Sequence, residues 1–146
     1  EVDFWYIFCH PDGLEYSYLD SKKSTLHTPS GTLDSRTSPL SRTLEQAYKG
    51  DVAYSMWNDE HPDGEKVPAP HAHAKGVVAF KSAGGFWLTH SLPRFPETVR
   101  KGYPSSWDAA AHKYGQSYLC ISVDTDALRK VGDAMATNWP SVYDSS

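Results

Sequence analysis

Residues 2–8 (VDFWYIF) are β-branched and aromatic apart from Asp3, the pattern of a buried strand. The HPDG at 10–13 is a turn signal. Residues 14–19 then alternate Leu, Tyr and Tyr with polar positions, which predicts a second short strand. Residues 21–37 are rich in Ser, Thr, Lys and Gly and read as an exposed loop. A helix follows. Ser38 is a good N-cap and Pro39 suits the first helical position. Leu40, Leu44, Ala47 and Tyr48 form one apolar stripe, and Gly50 is the expected stop.

The second half of the chain continues this alternation. Residues 52–57 (VAYSMW) predict a strand, and the proline-rich stretch 61–70 a loop. Residues 71–80 begin with strict alternation and end in VVAF, which predicts another strand. A tight turn at 81–85 and a hairpin partner at 86–90 (FWLTH) follow. Residues 107–113 suit a short helix, and 118–123 (YLCISV) a buried strand. Asp124 caps a last helix with Leu128, Val131 and Met135 on one face, which Pro140 ends. Strands alternating with helices predict a single α/β domain over 1–146, with a mixed β-sheet flanked by helices.

Composition narrows the class. An aromatic share of 13% argues against disorder. No apolar run approaches a membrane span, so no membrane partner is expected. The net charge of -4 argues weakly against nucleic acid. Protonating all seven histidines turns it to +3, so a polyanion meets a friendlier surface in acid. Cys9 and Cys120 permit one disulfide without demanding it. Neither Asn58 nor Asn138 opens a glycosylation sequon.

The candidate chemistry lies in His71-Ala72-His73-Ala74-Lys75-Gly76. On a strand, His71, His73 and Lys75 point to one face. Two imidazoles and an ammonium together repel one another unless something negative offsets them. A phosphate group fits that need. Lysine gives fixed charge for phosphoryl oxygens. Histidine gives a nucleophile or a proton-transfer group. Two other readings stand beside this one: a solvated polar edge, and an H-x-H zinc pair for which no Cys or carboxylate sits at an obvious ligand spacing. The hairpin would set His90 on the neighbouring strand, across from the His73 region.

The stretch HAKGVVAF…GGFWLTHSLPRFP resembles the deoxyribonuclease II family of the phospholipase D superfamily, including its nematode-type and plancitoxin-like members. VDFWYIF, YSYLD, LSRTLEQAY, AYSMWNDE and SSWDAAAHKYGQSYLCIS extend the resemblance over nearly the whole chain. It implies a phospholipase D-like half-domain, the first half of a pseudo-dimer in which two H-x-K motifs meet at one site. One His attacks phosphorus to form a phosphohistidine, and the other protonates the leaving oxygen. The activity implied is an acid endonuclease that needs no metal or other cofactor and leaves 3′-phosphate ends on DNA, in a lysosomal or secreted protein. His73 and Lys75 match the first motif. His90 matches a family His that orients groups at the phosphate, and Asn58 and Asp59 match the N-D before the motif. The family's usual disulfide joins a Cys near the start to the one matching Cys120; Cys9 lies several residues further in than that first Cys, so the resemblance leaves a Cys9–Cys120 bond open.

The 146 residues hold one H-x-K, and His112-Lys113 cannot replace the other because neighbouring side chains point apart. The site would then need a second half-domain or a homodimer partner. The alternative is a catalytically inactive secreted relative that binds DNA or a host partner. A phospholipid-cleaving relative is a weaker third reading.

Overall fold

The computed structural model describes residues 1–49 and 51–146. Gly50, the expected helix stop, lies outside the described residues. The chain forms β1 (Phe4–Cys9), β2 (Tyr16–Asp20), α1 (Pro39–Tyr48), β3 (Ala53–Trp57), β4 (Gly76–Lys81), β5 (Gly84–His90), α2 (Ala109–Lys113), β6 (Gln116–Val123), α3 (Thr125–Asn138) and β7 (Val142–Ser145), with a 3-10 turn at Val99–Lys101. This is the expected α/β class.

One seven-stranded sheet runs in the order β2-β1-β6-β5-β4-β3-β7. All its strand pairs are antiparallel. Among the described residues, the one parallel pairing is an isolated bridge between Ala72 and Pro140. Each strand alternates between two faces. Trp5, Ile7, Met56, Val77, Leu88 and Tyr118 build the larger core with Leu40, Leu44 and Ala47 of α1 and Ala111 of α2. Trp57, Val78 and Val123 build a smaller one against Val131, Leu128 and Met135 of α3.

The helix starts follow the local sequence. The side chains of Ser38, Asp108 and Asp124 accept from the backbone N–H groups of Ser41, Ala110 and Ala127. The cysteines depart from expectation. Both are free and buried. Register places Cys120 opposite Trp5 and Cys9 opposite Gln116. Four ladder positions separate them, about 13 Å, whereas a disulfide needs α-carbons within about 7 Å. The Cys9–Cys120 bond is therefore ruled out in this arrangement.

Candidate active site

The expected strand over 71–80 begins only at Gly76. Upstream, the Ala74 N–H donates to the Ala72 carbonyl (2.8 Å), a three-residue turn with His73 at its centre. The turn changes where the three basic side chains go. His71 leaves the group and packs its ring on Trp139, with centroids 4.9 Å apart. The His73 side chain projects into solvent, 88% exposed. Lys75 is 7% exposed.

His73 and Lys75 still converge, and what joins them is a carboxylate of the protein itself. His73 Nδ1 lies 2.7 Å from Asp59 Oδ2, and Lys75 Nζ donates to Asp59 Oδ1. Asp59, itself 15% exposed, thus supplies the offsetting negative charge that the sequence required. Holding Nδ1–H also leaves the other ring nitrogen of His73 as the free lone pair.

Two buried side chains lie behind this trio. Asn58 is fully buried and follows β3. Its side-chain N–H₂ donates to the carbonyls of Leu92 (3.1 Å) and Phe95 (3.0 Å), and its Oδ1 accepts from the Glu60 N–H (2.9 Å). It therefore ties the end of β3 to the loop after β5 and shapes the backbone around Asp59. His90 pairs with Lys75 through the backbone: its N–H donates to the Lys75 carbonyl (3.1 Å). Its partner is thus Lys75, one pleat from the His73 region expected from sequence. The His90 ring turns inward, stacked on Tyr118 at 5.9 Å and edge-on to Phe95 at 5.7 Å. Neither ring nitrogen has a hydrogen-bond partner among the described residues. Burial first, and the Lys75 charge second, push its pKa down to about 3, while the Leu92 backbone and Asp59 pull weakly the other way.

Gly76 sets how closely β4 can begin. A Cβ there would lie 2.5 Å from the Trp57 ring and 2.6 Å from the Leu88 carbonyl. Only a glycine lets the chain enter the sheet directly after Lys75.

An α/β sheet whose strand ends gather histidine, lysine and a shared carboxylate suits the chemistry of phosphate esters. Comparison with known proteins agrees with that class. The model of the family described as Deoxyribonuclease II matches residues 1–146, and the chain belongs to that family. Plancitoxin-1 of Acanthaster planci is 36% identical over 139 residues, 92% of this chain and 38% of that protein. Deoxyribonuclease-2-beta of Rattus norvegicus is 35% identical over 136 residues, 90% of this chain and 38% of that protein. Deoxyribonuclease-2-alpha of Mus musculus is 32% identical over 139 residues, 92% of this chain and 39% of that protein. The chain thus spans about two fifths of the length of these relatives.

Trp139, on which the His71 ring packs, was not singled out from the sequence; its only signal was position, directly before Pro140 at the end of a predicted helix.

Proposed function

We propose that this chain supplies His73 and Lys75 to a phosphodiesterase site that hydrolyses DNA in acid, the other half coming from a second half-domain or a second copy of the chain. The observation that carries the reading is the shared Asp59 carboxylate. It holds an exposed imidazole and a buried ammonium side by side, with one imidazole nitrogen facing outward.

In this mechanism the outward nitrogen of His73 attacks phosphorus. An N–P bond forms and the bond from phosphorus to the 5′-oxygen breaks. That oxygen leaves with a proton from a general acid in the other half, because nucleophile and acid stand on opposite sides of an in-line displacement. Water then cleaves the phosphohistidine and leaves a 3′-phosphate. Lys75 offsets charge on the phosphoryl oxygens. Asp59 fixes the His73 tautomer, and Asn58 and His90 hold the backbone on which Lys75 and Asp59 sit. The histidine and lysine provide nucleophile and charge, so the scheme calls for neither metal nor cofactor. It suits an acidic lysosomal or secreted setting, and no helix among the described residues is long and apolar enough to cross a membrane.

Plasmid digestion at pH 5 in EDTA with the second half-domain or second copy present, comparing wild type with His73→Ala, tests the reading. Wild type should cleave and His73→Ala should lose at least two orders of magnitude. Equal cleavage by both proteins would sink it. The other outcome of the test is DNA binding without turnover, in which both proteins retain DNA with a steep salt dependence and neither cleaves.

A further inference from the structure

Beside this site stands an aromatic side chain that the proposed phosphate chemistry does not use. Trp139 is 57% exposed, the most exposed large apolar side chain among the described residues. It is no loose tail. It caps α3 in the left-handed conformation, with φ at 50°, and its N–H donates to the Met135 carbonyl (2.8 Å). A non-glycine residue held there is strained, so the surrounding structure must fix it. The fixing contacts come from the site itself. The Trp139 carbonyl accepts from the Ala72 N–H at 3.2 Å and lies 3.2 Å from His71 Nδ1. Pro140 bridges to Ala72, and the Ser141 carbonyl accepts from the Asn58 N–H (3.1 Å). The segment 139–141 is therefore bound on both sides to residues adjoining Asp59 and His73.

The geometry points to Trp139, braced by His71, as a stacking platform for a nucleobase next to the phosphate held at His73 and Lys75. We make this inference on the strength of the proposed phosphate site. An indole carries no charge for a phosphate, but its face suits any base. The ring packs on His71, two residues before His73, and the Trp139 carbonyl is held by the N–H of Ala72, the residue between them. His71 supports the indole from one side, with the ring centroids 4.9 Å apart. This gives the first histidine of the HAHAK segment a role that the hydrolytic scheme leaves open.

The test uses a fluorescein-labelled single-stranded phosphorothioate dodecamer at pH 5 in EDTA, followed by anisotropy. Trp139→Ala should weaken binding about 5- to 100-fold, with an unchanged slope of affinity against salt. Trp139→Phe should stay within about threefold of wild type. Both variants should keep the wild-type unfolding midpoint, since the side chain is largely in solvent. Wild-type affinity in Trp139→Ala, or no wild-type binding, would overturn the proposal. So would equal losses in the Ala and Phe variants, or loss of self-association with DNA affinity intact, which would make Trp139 a protein contact. Lys75→Met separates the two readings, because it should flatten the salt slope. If it has no effect while Trp139→Ala weakens binding, the platform stands and the phosphate assignment falls.

Discussion

Asp59 Oδ2 lies 2.7 Å from His73 Nδ1, although sixteen positions further on the same carboxylate also neutralises a buried lysine. The site's tautomer and its charge balance thus depend on one side chain.

Replacing that side chain should be costly. Asp59→Asn leaves the Lys75 ammonium buried without its counter-ion, a change worth about 3–5 kcal/mol. Asp59→Asn/Lys75→Met should regain most of that stability while remaining inactive. Urea unfolding of the two single variants and the double checks the coupling. Additive losses would refute it.

Burial of His90 makes stability fall in acid. Its folded pKa is depressed to about 3, below the ordinary value of 6.5. Above pH 6.5 both states are neutral there and the group costs nothing. As pH falls from 6.5 towards 3, the unfolded chain takes a proton that the folded chain refuses. Stability should fall across that window by up to about 1.4 kcal/mol per pH unit. His90→Phe should remove most of that slope. Unfolding free energies at pH 7, 6, 5 and 4 for both proteins provide the measurement, and parallel curves would disprove the assignment.

The two thiols should be inert in the native protein. Burial raises Cys9 to about 11, with Asp34 adding a little, and burial raises Cys120 to about 12. At pH 8 neither should react with a disulfide reagent such as Ellman's until the chain unfolds, after which two equivalents should appear. Rapid labelling of the folded protein would contradict the burial.

Gly76→Ala should damage the site from below. Its methyl group would meet the Trp57 ring and the Leu88 backbone. The carbonyl cannot swing away without opening the β4–β5 ladder, so a loss of about 1–3 kcal/mol is expected. Activity should fall further than in Gly132→Ala, where a Cβ would meet open space in α3, and the same assay on both variants gives the comparison.

Much of this architecture was legible from local chemistry. Ser38-Pro39 and Asp124 marked helix starts because capping is a matter of neighbouring residues. The hairpin of β4 and β5 showed in its glycines. The strand expected from residue 71 failed because alternation cannot reveal a turn closed by Ala72 and Ala74. His73, His71 and Lys75 therefore do not share one face. β7 was missed: it is four residues long, lies at the sheet edge and takes its pairing from β3, far away in sequence. Asp59 was legible only as a neighbour of Asn58 in a family pattern. Its grip on Lys75 depends on two loops meeting, and no periodicity reports that.

The β4–β5 hairpin gives the remote Ser82-Ala83 turn an unexpected authority. Lys81 pairs with Gly84, and the same count places Gly76 opposite Thr89 and Lys75 beside His90. Adding one residue to that turn would shift the whole ladder and send every side chain of one strand to the opposite face. The turn lies about 20 Å from Lys75 and touches none of the reacting groups. It nevertheless serves as the ruler by which the end of the hairpin that carries Lys75 and His90 is measured out.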